Sequence, residues 1–271
     1  MRKTLPLFAF VIGCTLATLA QAHGLHIDKG HCGFNTPYDV TVDARGIAFD
    51  RSDGNPASVF MHAGQLQVDG RDVSVSRADA DRLRDYEKQV RALMPELAGI
   101  AREGVDIGFS AMTTVAATFA ENGEARRELV ARLDRDHARA LERIDQGIGR
   151  GVWKQHDLDD VVEDGLQGAV SELASTVAAG AVKAAFSGDQ GRIDALQARA
   201  ESLDKSIGKE VDARADRLDR RAQALCPRLT ALQLLQQQFQ FRLADGSSLQ
   251  LLTREPAHDD AAHAGSGVAS R

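Results

Sequence analysis

The chain has few aromatic residues and almost no cysteine. Its 271 residues include one tryptophan, two tyrosines, ten phenylalanines and three cysteines, against 27% charged residues. Three cysteines cannot build a disulfide-dense scaffold, and the lack of a Cys-x-x-Cys spacing argues against a dithiol redox pair. There is no Gly-x-Ser-x-Gly, no His-Glu-x-x-His, no Gly-Lys-Ser/Thr phosphate loop and no dinucleotide fingerprint. The nucleophile elbow, the zinc helix and the phosphate cradle that those motifs build are therefore missing. Polybasic clusters are also missing, and the formal net charge is −6. That balance argues against nucleic acid or an anionic lipid surface as a bulk electrostatic partner.

The N-terminus does carry a clear pattern. Arg2 and Lys3 precede an uncharged apolar or small run from Leu5 to Ala20, followed by Ala20-Gln21-Ala22. Basic start, apolar core and small-x-small box are the parts of a secretory signal, with cleavage expected after Ala22. An anchored helix is the alternative, although the run is short and weakly flanked for one. Val11-Ile12-Gly13-Cys14 also reads as a lipobox, which would acylate Cys14, but the apolar run continues past it. Cleavage after Ala22 leaves 249 residues, with 31 basic against 39 acidic. No later stretch reaches about 18 uncharged residues, so no transmembrane helix is expected in the mature chain.

The mature chain would hold two cysteines, Cys32 and Cys226. In an oxidising compartment an even count reads as a disulfide, with two free thiols or an inter-chain bridge as alternatives. An intramolecular bridge would close a loop across 194 positions, contributing up to roughly 5 kcal/mol by restricting the unfolded chain.

From Phe34 to Val75 the apolar period is two. Tyr38 to Val42, Ile47 to Phe49, Val59 to His62, Leu66 to Val68 and Val73 to Val75 alternate, with turns at Asp43–Gly46, Asp53–Pro56, Ala63-Gly64 and Asp69-Gly70. This predicts a meander of four or five short antiparallel strands. At Ser76 the period changes. Leu83, Tyr86, Val90, Leu93, Leu97 and Ile100 step by three and four, with Ser76 as N-cap and Asp79 as its acidic partner. Pro95 predicts a kink or restart. Asn122-Gly123 marks a break, and Val130, Leu133, His137, Ala140 and Ile144 form the next stripe, ended by Gly147, Gly149 and Gly151. Further helices are expected from about Leu158 to Phe186 and from Gln190 to Leu225. The second carries Ile193, Leu196, Ala200, Leu203 and Ile207, then shifts phase at Val211 like a stutter in a coiled coil. Leu229 to Gln238 could restart helix after Pro227. Phe239 to Leu243, a turn at Asp245-Gly246 and Leu249 to Leu251 read as a hairpin.

The expected fold is therefore α+β. An antiparallel sheet is built from an N-terminal meander (23–76) and a C-terminal hairpin (227–254), with a long helical-hairpin insertion (77–226) between them. Residues 1–22 are the signal and 255–271 a disordered tail. Small residues recur after Gly104 and after Gly165, spaced to let two helices approach closely. Such spacing also occurs in membrane helices. Here Arg102, Glu103, Asp106, Glu172 and Lys183 interrupt the runs, which favours packing in a bundle.

Cys32 to Val40 (CGFNTPYDV), His62 to Gly70 (HAGQLQVDG), the Arg84–Glu87 and Arg91–Pro95 segments and the Cys226-Pro227 pair together resemble the YggN-like group of Gram-negative envelope proteins. The resemblance covers most of residues 30–255. It implies a periplasmic setting, supports pairing Cys32 with Cys226, and carries no activity or catalytic residue with it.

Three groups of residues carry metal-ligand chemistry. His23 at the mature terminus, with His26 and His31, could offer amine and imidazole ligands to copper, although Leu25 stands where a terminal copper clip needs histidine. Exposed histidines near a cleavage site are the plain alternative. His258, Asp259, Asp260 and His263 form a loose cluster in the tail. Asp157, Asp159, Asp160, Glu163 and Asp164 lie beside Trp153 and His156 but lack the glycine and glutamate register of an EF-hand. Acidic residues in a helix's first turn account for them. His137 is read as a hydrogen-bonded core or interface histidine. No catalytic residue and no cofactor is assigned. The reading is an exported envelope protein that binds or interacts without catalysis, its partner an envelope protein or a small apolar ligand. The alternatives are an envelope hydrolase or metal-dependent enzyme, signalled by carboxylates or histidines converging in a pocket, and a lipid carrier, signalled by an apolar cavity between sheet and helices.

Overall fold

The computed structural model describes residues 32–120, 122–154, 168–187 and 190–254. The signal segment with Cys14, the histidines His23, His26 and His31, the acidic run 157–164 with His156, and the tail beyond 254 lie outside the described residues.

The period-two segment forms its strands. After β1 (Phe34–Asn35) come β2 (Asp39–Asp43), β3 (Gly46–Asp50), β4 (Ser58–His62), β5 (Gln65–Val68) and β6 (Arg71–Asp72). From β2 to β6 each strand pairs antiparallel with the next. The turns fix the register. Ala63 and Gly64 have φ of 51° and 87°, and Asp69 and Gly70 have 49° and 73°. Two successive left-handed residues are what a tight two-residue hairpin requires. A side chain at Gly64 would also meet the Ala80 carbonyl at 2.7 Å, so the turn presses directly on the following helix. The last strand is earlier than the Val73–Val75 alternation suggests. Asp69-Gly70 sets Arg71 opposite Val68 and Asp72 opposite Gln67. Val73 adds one hydrogen bond to Leu66 at 2.9 Å and the ladder stops.

Helix α1 (Arg77–Phe119) follows. Ser76 caps it by accepting the Asp79 N–H at 3.1 Å, and donates its hydroxyl to the Asp79 carboxylate at 3.0 Å. Pro95 does not restart the helix, which runs through it for 43 residues. Met94 and Ala98, on either side, are buried in a second core, so packing holds the turn whose hydrogen bond proline removes. Asn122 caps α2 (Gly123–Gln146), accepting from Glu124 and Ala125 at 3.0 and 2.9 Å. A short 3-10 turn (Ile148–Arg150) then delivers β7 (Val152–Trp153) to the free edge of β2. Here the glycines do more than end a helix: Gly151 (φ 86°) lets the chain lie against Val42. The sheet thus has six strands, in the order β6-β5-β4-β3-β2-β7. Both of its edge strands are two residues long, which leaves little backbone for pairing with another chain.

Two long helices, α3 (Gly168–Ser187) and α4 (Gln190–Gln223), make a hairpin against α1. Helix α5 (Cys226–Gln237) follows, with proline in its first turn, where a missing N–H costs nothing. The C-terminal hairpin then reverses at Asp245–Gly246, with the Leu243 N–H donated to the Ser247 carbonyl at 2.9 Å. Phe239, Phe241, Leu243, Leu249 and Leu251 are all buried, alternating as the sequence predicts. These residues complete the core, while strand pairing is confined to β8 (Thr253–Arg254), which joins β1. Backbone groups that might have extended the large sheet are taken elsewhere. The Gln236 side-chain Oε1 accepts from the Leu251 and Leu252 N–H groups at 2.7 and 2.9 Å, and the Asp79 carboxylate accepts from the Gln240 N–H at 3.1 Å. The class is α+β: antiparallel sheets from N-terminal strands, a C-terminal hairpin and a long helical insertion between them. Cys32 and Cys226 are bridged, with 5.3 Å between their Cα atoms, at the junction of β1 and α5.

Helix α1 carries two cores. Leu83, Tyr86, Val90 and Leu93 pack on inward residues of the sheet and on the C-terminal segment. Further along, Val105, Phe109, Met112 and Ala116 pack with Leu129, Leu133, Ala140 and Ile144 of α2 and Leu173 of α3.

Candidate functional site

Two carboxylates, Asp79 and Glu87, are buried where α1 meets the sheet and the C-terminal segment. Glu87, 8% exposed, accepts from Arg91 Nη2 at 2.7 Å and Nε at 3.0 Å, and from the Ala63 N–H at 2.9 Å, with His62 Nδ1 at 3.4 Å. Arg91 also donates to the Asp43 carbonyl at 2.6 Å. Burial works against ionisation of Glu87, but the bonds from Arg91, Ala63 and His62 hold its carboxyl below the usual range. Asp79, 1% exposed, is similar. Burial opposes its charge, while bonds from Gln240, Arg82 and Ser76 outweigh that and keep its pKa low. These carboxylates fasten the β4–β5 turn and the C-terminal segment to α1. Lowered pKa values and acceptors already filled by the protein suit ionic fasteners, not general acids. Among the described residues no buried side-chain nitrogen or oxygen lacks a partner.

The space between sheet and α1 holds the protein's own rings. Tyr38, Phe49, Tyr86, Phe239 and Phe241 follow one another at centroid distances of 5.2 to 6.5 Å. An acyl chain would have to displace them. His137 sits between α2 and α1, its Nε2 2.6 Å from Asp106 Oδ1 and its ring 5.1 Å from Phe109, in the interface position its stripe suggested. Trp153 is placed in β7 opposite Val40 and packs on both cores. Among the described residues no group of three or more His, Cys, Asp or Glu could hold a metal ion, and no helix is long and apolar enough to cross a membrane.

Helix α3 is different. Leu173 and Val177 turn one side of it into the second core. A second apolar stripe, Val170, Ala174, Ala178, Val182 and Phe186, advances by four residues and is exposed throughout. Val170 is 40% exposed, Val182 54% and Phe186 89%. Three of the four exposed large apolar side chains among the described residues lie on this helix. The stripe spans about 24 Å at 1.5 Å per residue. Ser175 beside it donates its hydroxyl to the Ser171 carbonyl at 2.8 Å, so that polar group is satisfied within the helix. Leaving Val182 and Phe186 in water forgoes about 1.5–3 kcal/mol each relative to burial. What this surface can do chemically is bind another apolar surface.

Residues 32–252 match a family described as protein of unknown function, DUF2884. The chain belongs to this family. The DUF2884 span opens at the disulfide cysteine Cys32, takes in both ends of the bridge and both cores, and includes α3, so the exposed stripe lies within the family's own domain. No curated protein and no solved structure matches the chain.

Two features of this DUF2884 domain were not read from its sequence. The Glu87–Arg91 spacing of four was visible as a helical ion pair, but its tie to Ala63 depends on tertiary contact. The exposed stripe did leave a signal. With Leu173 and Val177 filling the core-facing side, the four-step series from Val170 to Phe186 is one apolar stripe more than a core needs.

Proposed function

We propose that this DUF2884 protein is exported, loses its signal after Ala22, and serves in the periplasm as a non-catalytic interaction protein. The Cys32–Cys226 bridge suits an oxidising compartment. The observation that carries the interaction reading is the exposed apolar stripe of α3, on a protein whose buried carboxylates are engaged as internal fasteners. A polar, charge-rich chain keeps such a stripe on its surface when something else covers it.

Two measurements test this. The intact mass of protein isolated from a Gram-negative envelope should equal residues 23–271 less two hydrogens; a mass that retains residues 1–22, or an acylated Cys14, would contradict the processing. In the same extract the native protein should migrate in a larger assembly, and the Val182→Ser, Phe186→Ser double variant should migrate as a monomer. Equal migration of the two would contradict the role given to α3.

A further inference from the structure

We propose that the Cys32–Cys226 bridge is a redox latch on the N-terminal strand, opened by a protein dithiol of the Cys-x-x-Cys class. Strand β1 stands apart from the large sheet. Its ladder partner is β8, and the two form a sheet of their own. Pairing is limited to Phe34 with Arg254 and Asn35 with Thr253. The Thr253 hydroxyl donates to the Asn35 carbonyl at 3.2 Å, and the Arg254 guanidinium lies 5.3 Å from the centre of the Phe34 ring. Neither Phe34 nor Asn35 belongs to a core, which the chain first enters at Tyr38. So short a ladder is marginal in water, and the covalent tie to α5 is the strongest link holding β1. The large sheet has fasteners of its own, in Glu87 and Asp79.

The bridge is placed for thiol exchange. Both cysteines are half-buried and lie outside both cores. Cys226 is the first residue of α5, whose N-terminus no side chain caps. Backbone N–H groups there carry partial positive charge and favour a thiolate. Cys226 is therefore the better leaving group, and attack falls on Cys32. A thiolate of the dithiol bonds to Cys32 Sγ and the Cys32–Cys226 bond breaks. Its electron pair leaves on Cys226 Sγ, which takes a proton from water. The second thiol of the reductant then loses its proton and attacks the reductant's own sulfur in the mixed disulfide, releasing Cys32 as a thiolate, which is protonated in turn. The bridge gains two electrons and two protons, and the dithiol becomes a disulfide. Released from α5, β1 leaves β8 while the six-stranded sheet and α1 stay folded.

The test uses the full oxidised chain in the absence of denaturant. A reduced Cys-x-x-Cys protein should open the bridge. With its second cysteine replaced by serine, the same reductant should be trapped as a mixed disulfide on Cys32, in about tenfold excess over Cys226. Amides of β1 and β8 should be protected from hydrogen exchange in the oxidised chain. In the reduced chain they should exchange within about tenfold of unstructured peptide, while residues 47–50 and 59–61 stay protected at least about a hundredfold. Cys32→Ser with Cys226→Ser should reproduce that pattern with no reductant present. A bridge that opens only in denaturant would be a permanent staple, and would overturn the latch. Protection of β1 and β8 that survives reduction would overturn it too, as would unfolding of the whole chain. Trapping on Cys226 would overturn the assigned order of attack. None of these outcomes bears on the stripe of α3, which the migration test decides.

Discussion

The sheet end and the α3–α4 hairpin solve the same problem in different ways. Both are built from apolar periodicity. At the sheet end every inward residue finds a partner within the chain, and the polar groups that close the structure are locked in pairs. Asp79 and Glu87 bind backbone N–H groups from Gln240 and Ala63, far away in sequence, and the disulfide closes the junction. On α3 one stripe is buried through Leu173 and Val177, and a second, from Val170 to Phe186, faces water. A closed core and an exposed apolar face on one chain show that apolar periodicity alone does not decide which residues are buried.

Breaking the sheet end should have the largest effect. Replacing Cys32 and Cys226 together by serine should lower unfolding free energy by about 2–5 kcal/mol in urea titration. Asp79→Asn should follow, at roughly 2–3 kcal/mol, since it weakens the helix cap and the anchor to Gln240 together. Gly64→Ala should cost about 1–3 kcal/mol, because φ of 87° and the nearby Ala80 carbonyl both resist a side chain. By contrast, Val182→Ser with Phe186→Ser should change the stability of the isolated chain by about 0.5 kcal/mol or less, yet abolish association. A large loss of stability there would erase the distinction between the two regions.

Acid should sharpen it further. Asp79 and Glu87 have folded-state pKa values below their ordinary 3.8 and 4.5. Groups lowered in this way stabilise fully above the unfolded value, and that contribution is lost as pH falls through the folded one. The urea midpoint should therefore hold steady from about pH 7 to about pH 5 and drop below that. Asp79→Asn should flatten the drop, and an unchanged pH profile in that variant would remove Asp79 from the account.

Much of this fold was legible because local chemistry and global structure agree. Asp69-Gly70 and Ala63-Gly64 could only be tight turns between alternating runs, and Ser76 with Asp79 could only open a helix. The fold departs from the sequence pattern where distant groups intervene. Pro95 stays in α1 because Met94 and Ala98 are packed on both sides. The C-terminal alternation enters the core without joining the large sheet because Gln236 and Asp79 take its backbone groups. Strand β7 was hidden because two residues carry no period. The candidate face was not read from the sequence: its four-step spacing is present from Val170 to Phe186, but which side of α3 faces the core depends on α1 and α2.

The most direct test places a photo-crosslinking residue at Phe186 or at Gln67, an exposed position on the sheet, in the full chain within living Gram-negative cells. The account predicts a discrete covalent product from position 186 and none from position 67. Equal products from both, or none from position 186, would contradict it.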